Sequence, residues 1–286
     1  MIIDAHTHCF PDQLAEKVIP MLAARANIPY FSDGTLGGLI ASMDRAGVDL
    51  SLVQHIATKP QQVQTINNWA ASIQSERIKS FGTVHPDYPH WEQEIERIAE
   101  LGLVGIKFHP DYQDFDVDEE RLWPIYEKTV ETGLILLFHA GLDVGFGEPV
   151  RCQPRALAKI VRAFPEATII AAHMGGYDRW EEARVHLVGQ NVYLDTSYSF
   201  DYASREFLLQ MIKEHGPDRI VFATDSPWGD PEHEIKQLRS LPLTDAEQKL
   251  ILGENMHRLL QKHGVEVGVS TMEREKRFSL VEDENN

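Results

Sequence analysis

At 286 residues the chain is long for one ordinary domain but close to the size of one α/β barrel, about 250 residues. With 43% hydrophobic and 25% charged residues and no apolar run near the roughly 18 residues that a membrane helix needs, the composition excludes a membrane-spanning chain. The formal net charge of -17 argues against nucleic acid and anionic membrane surfaces, which are bound chiefly through Lys and Arg, and two cysteines, Cys9 and Cys152, build neither a disulfide framework nor a thiolate zinc cage.

In chain order, a first strand is expected at Ile2 to His6, followed by a helical pattern in DQLAEKVIPMLAAR. The next stretch, TLGGLIASMDRAGVD, spaces Leu36, Leu39, Ile40 and Met43 as one helix face and places Gly47 as a C-cap before the strand LSLVQHI. The unit then recurs. Strand IKSFGTV leads to His85, helix WEQEIERIAEL follows, strand LVGIKFH ends at His109, helix DEERLWPIYEKTVETG follows, and strand LILLFH ends at His139. Helix QPRALAKIVRAF, strand ATIIAAH to His173, helix RWEEARVHL, strand NVYLDTS, helix SREFLLQMIKEHG and strand RIVFATD to Asp225 complete a series of eight strands. Such alternation predicts parallel βαβ units, and eight of them favour a closed (βα)8 TIM barrel. No Gly-x-Gly-x-x-Gly fingerprint follows the first strand, against the rival doubly wound sheet. One domain over residues 1–262 is expected, with 263–286 a C-terminal tail or appendage. The opening MIIDAHTHCF has neither a basic n-region nor an apolar h-region, so a secretory signal is not expected and a cytoplasmic protein is.

His6, His8, His55, His85, His109, His139, His173 and Asp225 all fall at or just beyond predicted strand ends, the face on which barrel enzymes build their sites. His6 and His8 are one residue apart and project to the same side of a strand, so both can grip one ion. A His-x-His pair alone is a weak signal. His139 strengthens it, because an imidazole closing the apolar run LILLFH is expensive to bury without a partner, and Asp225 repeats the argument with a charge. Three imidazoles and one carboxylate suit zinc first, with manganese or iron(II) as alternatives.

Together IIDAHTH, MDRAGVDLSLV, LFHAG, AAHMGG, ATDSPW and ILGENMHRLL resemble the amidohydrolase superfamily, in particular the amidohydrolase-2 group with its aminocarboxymuconate-semialdehyde-decarboxylase-like enzymes, over roughly residues 1–262. The resemblance implies a metal held by His6, His8, His139 and Asp225, and a polarising or proton-transferring role for His173. In some relatives a fourth-strand lysine is carbamylated and bridges two metals. Lys107 invites that comparison, but one metal is expected here, with Lys107 or His109 contacting substrate. Arg151 and Arg155, in the glycine-rich segment GLDVGFGEPVRCQPR that fits a lid, are candidates for a substrate carboxylate, and Trp228 for a flat substrate. His55 and His85 are second choices as wall residues. Cys9 has the wrong strand parity for a nucleophile.

A bound divalent ion brings the pKa of its water to about 7, with Asp225 the natural proton acceptor. The leading expectation is therefore a metal-dependent hydrolase attacking an amide, lactone or ester-like bond of a small molecule. The alternative is a metal-dependent, non-oxidative decarboxylase of a small carboxylic acid, which uses the same ligands but needs a placed cation. A catalytically silent metal-binding barrel is the third reading. The only partner expected is the small-molecule substrate, and a homo-oligomer is compatible with the sequence.

Overall fold

The computed structural model describes residues 1–267. Eight parallel barrel strands run through them in the expected order: Ile3–Thr7, Leu50–Val53, a third strand in two pieces (Ile78–Ser80 and Gly82–Thr83), Gly105–Phe108, Ile135–Phe138, Ile169–Ala171, Tyr193–Asp195 and Ile220–Val221. Each pairs with its sequence neighbour, with Ile3 opposite Leu50, Ser51 opposite Ile78, Lys107 opposite Leu137, Phe138 opposite Ala171 and Asp195 opposite Val221. The ring closes through the Ala5 N–H donating to the Phe222 carbonyl at 2.9 Å and the Asp225 N–H donating to the His6 carbonyl at 2.8 Å.

The break in the third strand has a packing cause. Phe81 turns into the barrel interior, and Gly105 leaves room for it: a Cβ there would lie 2.7 Å from the Phe81 ring. The ladder is carried across the break by the Phe81 N–H to Val53 and the Val104 N–H to Ser80, both 2.9 Å.

Alternation along the strands produces two apolar layers. Ile3, Ala5, Leu50, Leu52, Phe81, Ile135, Leu137, Ile170, Val221 and Ala223 form the interior, capped by Met256, Leu259 and Leu260 of the helix Asn255–Lys262. The opposite parity, including Ile106, Phe108, Leu136, Phe138, Leu194 and Phe222, packs on the outer helices. The expected helices form with small changes. Thr35 caps Leu36–Ala46 by accepting from the Gly38 N–H, and Gly47 ends it at φ 71. The stretch expected as one helix before the fifth strand is a short 3-10 turn, Glu120–Leu122, followed by Trp123–Glu131, because Pro124 belongs in a first helical turn. Among the described residues, the helices Val63–Ser72, Pro110–Gln113, Pro231–Arg239, Asp245–Lys249 and Asn255–Lys262 were not read from the sequence. No described helix is long and apolar enough to cross a membrane. Most of the expected tail, from residue 268 on, lies outside the described residues.

Candidate metal centre at the strand C-terminal ends

The first strand contains a correction to simple parity. Ile3 and Ala5 face the interior, so unbroken alternation would turn His6 outward; the register shifts between Asp4 and Thr7, and His6 points inward as well. An irregularity of this kind re-aims a side chain, a device common beside active sites. His6 Nε2 then lies 3.2 Å from His8 Nε2, 3.4 Å from Asp225 Oδ1 and 3.1 Å from Lys107 Nζ, while His8 Nε2 is 3.1 Å from Asp225 Oδ1.

Hydrogen-bond partners settle which atoms are acceptors. His8 Nδ1 is 3.0 Å from the Gln54 carbonyl, which only accepts, so Nδ1 carries the proton and Nε2 is a lone pair in the neutral ring. His6 Nδ1 likewise faces Asp195 Oδ2 at 2.9 Å, leaving its Nε2 as a second lone pair. Burial, with Lys107 alongside, pushes the His6 imidazole down to about 3, so it is neutral at physiological pH. Asp225 is ionised: burial pushes its carboxyl up, but His6 and His8 outweigh this and hold it at about 2. Two imidazole lone pairs and a carboxylate oxygen thus converge, with ligand atoms within 4.8 Å of one another; the Lys107 ammonium faces the His6 lone pair, and acceptors this close call for positive charge among them. Nitrogen and oxygen donors whose far nitrogens are tied to a carbonyl and a carboxylate suit a divalent metal ion.

His139 and His173 form the adjoining half. His173 Nδ1 lies 3.1 Å from the Ser197 carbonyl and so donates; in the neutral ring its Nε2, 3.0 Å from His139 Nδ1, accepts. That leaves His139 Nε2 as a lone pair, buried and without a hydrogen-bond partner. The ligand atoms of His139 group with those of His109 and Asp143 rather than with His6, His8 and Asp225. His109 is already committed, because the Tyr112 N–H approaches its Nδ1 at 3.5 Å and its Nε2 therefore donates to Asp143 Oδ2 at 3.3 Å. The His109 and His139 rings stack at 4.1 Å. Backbone conformations sparsely populated by non-glycine residues gather here, at His173 (φ 59), Met174 (φ 53), Tyr198 (φ 51) and Asp225 (φ 63). Such positions persist where surrounding contacts enforce them, and they cluster at functional sites.

The remaining expected residues fall out plainly. Lys107 is buried against His6, and burial brings its ammonium down to about 8. Arg151 is paired with Asp114 at 2.5 Å, and Arg155 is exposed on the helix Pro154–Ala163. Trp228 is half-buried, its N–H donating to the Asp225 carbonyl. His85 Nδ1 accepts from the Asp87 N–H, and His55 packs edge-on against Trp69. In the segment after the fifth strand, Asp143 meets His109, the Arg25 guanidinium lies 4.1 Å over the Phe146 ring and Arg179 pairs with Glu148. Asp195, Ser197, Gln54 and Asp143 were missed by sequence reading. A carboxylate in the short buried strand Tyr193–Asp195 was the available signal for Asp195; nothing local marked Gln54, whose carbonyl meets His8 and whose side-chain amide donates to the Ala5 carbonyl.

A family profile described as Amidohydrolase matches residues 3–262. A gamma-resorcylate decarboxylase from Polaromonas sp. (strain JS666 / ATCC BAA-500) is 24% identical over 280 residues, covering 77% of this chain and 85% of that protein. Among solved structures, 5-carboxyvanillate decarboxylase from Sphingomonas paucimobilis superposes with a TM-score of 0.68 at 19% identity, over 91% of this chain and 98% of that one. A dihydroxybenzoic acid decarboxylase from Polaromonas sp. JS666, with bound manganese and the inhibitor 2-nitroresorcinol, superposes at 0.67 with 18% identity, over 91% and 96% of the two chains. At these identities the structures share the fold.

Proposed function

Because the chain belongs to the amidohydrolase family, and on that premise, we propose that it is a metal-dependent, non-oxidative decarboxylase of a small hydroxylated aromatic carboxylic acid. The observation that carries this reading is the convergence of the His6 and His8 lone pairs and the Asp225 carboxylate beside a buried cationic side chain, Lys107. The hydrolytic reading that the sequence placed first loses ground to its alternative, since the characterised relatives are decarboxylases and the cation that decarboxylation requires is in the site. That cation is Lys107, not Arg151 or Arg155.

His6, His8 and Asp225 would hold one divalent ion, with the unpartnered Nε2 of His139 as the further donor. Bound there, the ion supplies Lewis-acid charge that orients the substrate's carboxylate and stabilises the negative charge left when carbon dioxide departs. A bound manganese in one relative makes Mn2+ the first ion to try, ahead of zinc. Lys107 Nζ pairs with the anionic substrate and keeps it in register with Asp225. Asp225, ionised, takes the proton of the substrate's hydroxyl and delivers it to the ring carbon that bears the carboxylate; the carbon–carbon bond then breaks, carbon dioxide leaves, and the bonding pair returns to the ring oxygen. His173 acts by holding His139 through its Nε2. Asp143 holds His109 and so anchors the segment after the fifth strand.

Incubation of the Mn2+-loaded protein with a panel of hydroxybenzoates, matched against aryl esters and lactones, tests the reading. Release of carbon dioxide with the decarboxylated phenol is expected; hydrolysis of the esters or lactones with no carbon dioxide from any acid would return the hydrolase to first place.

A further inference from the structure

The end of the seventh strand contains a carboxylate that touches both halves of the site. Asp195 is fully buried and accepts four hydrogen bonds: from His6 Nδ1 at 2.9 Å on Oδ2, and on Oδ1 from the His173 N–H at 2.9 Å, the Ser197 N–H at 3.0 Å and the Ser197 hydroxyl at 2.5 Å. A carboxylate has about four acceptor positions, so this one is saturated. Backbone amides only donate, so the protein end of the network has fixed polarity. Ser197 Oγ in turn lies 2.9 Å from His173 Nδ1, which continues the chain to His139.

We propose that Asp195 is the positioning residue that ties the two halves together: it sets the tautomer of His6 that leaves Nε2 open to a metal, and it pins the left-handed His173 turn from which His139 is held. This rests on the metal-centre reading above. The physical reason is that an imidazole has one proton to place when neutral, and the group opposite one nitrogen decides which it is. With an acceptor opposite Nδ1, the proton stays away from the cluster. Were a donor opposite instead, the proton would move to Nε2 and point at His8 Nε2 and Lys107 Nζ, where it would occupy the ligand position. The second contact is equally specific. His173 and Met174 occupy successive left-handed conformations at φ 59 and 53, and the Asp195 bond to the His173 amide is one of the contacts that enforce them.

Asp195→Asn is the discriminating change, because it keeps shape while altering polarity. Its side-chain oxygen can serve the two amides and the Ser197 hydroxyl, but its NH2 then faces His6 Nδ1. Two measurements on the full-length protein follow: Mn2+ affinity by titration against a competing chelator, and the His6 tautomer by 15N NMR of histidine-labelled, chelator-treated protein, with the resonance assigned through His6→Gln. The parent is expected to show His6 protonated at Nδ1. Asp195→Asn is expected to show it protonated at Nε2 and to bind Mn2+ about 10- to 100-fold more weakly, the usual effect of losing such an outer partner. An Nε2-protonated His6 in the parent overturns the proposal without recourse to any variant, as does an Asp195→Asn protein with the parent's tautomer and affinity. If the parent takes up no divalent ion while its His6 tautomer is as expected, the metal-centre reading fails and the metal-directed role of Asp195 fails with it, a result distinct from failure of Asp195 alone.

Discussion

At the residue scale, the site depends on acceptors gathered at one point, the His6, His8 and Asp225 atoms beside the Lys107 ammonium and the unpartnered Nε2 of His139. Asp225→Asn keeps the size of the side chain but removes both its charge and its capacity to shuttle a proton, so turnover should fall by at least about 100-fold, the low end of what a general acid–base group contributes. Steady-state rates on a refolding-competent, Mn2+-loaded variant check this; retained activity removes Asp225 from the chemistry. His139→Ala separates two readings of the unpartnered Nε2. If it is a ligand, metal content measured by elemental analysis drops; unchanged occupancy excludes His139 from the coordination sphere. Reading strand ends pointed to His6, His8, His139, His173 and Asp225 because a polar residue closing an apolar run is conspicuous. The partners that choose their tautomers were not legible, since Asp195, Ser197 and the Gln54 carbonyl lie on other strands and are ordinary in their own sequence context.

At the element scale, the helix Pro231–Arg239 contains an expensive residue. Glu234 is buried with Oε2 unpartnered, and burial, reinforced by the nearby charges of Asp201, Asp4 and Asp230, pushes its carboxyl up to about 9. The folded protein therefore keeps a proton there that the unfolded chain loses above about 4.5. The sign follows directly: this contribution to stability is complete below pH 4.5, declines as pH rises, and is gone above about 9. Each pH unit in that window changes it by at most about 1.4 kcal/mol. Glu234→Gln should flatten the decline between pH 5 and 9 in denaturant unfolding, and an unchanged slope would show that Glu234 does not titrate this way. Helix positions were largely readable from apolar spacing and, before the second strand, from Gly47, whereas the start at Trp123 that Pro124 sets was not read. The break at Phe81 was not, because it depends on the space left by Gly105 on the neighbouring strand.

At the scale of the whole molecule, the candidate metal centre would join the ends of the barrel: His6 and His8 come from the first strand and its end and Asp225 follows the eighth, across the seam closed by the Asp225 N–H and the His6 carbonyl. An ion held there opposes opening of the barrel. Chelation should lower the melting temperature by about 4–5 °C relative to protein with metal at a hundred times its dissociation constant, from about 2.7 kcal/mol of linked stability and the usual size scaling. Calorimetry with and without chelator measures it, and coincident melting curves would place the ion elsewhere or nowhere. The chain by itself determined the class of fold, because periodicities of 2 and 3.6 are local, and it determined which residues reach the functional face, because strand ends share that face in any parallel barrel. Tertiary structure alone decided that His6 turns inward despite its parity, that Lys107 rather than an arginine lies buried beside it, and that His109 is spoken for by Asp143. Those outcomes depend on register shifts and on partners far apart in sequence, and hydrogen-bond polarity is a property of pairs, which no single residue encodes.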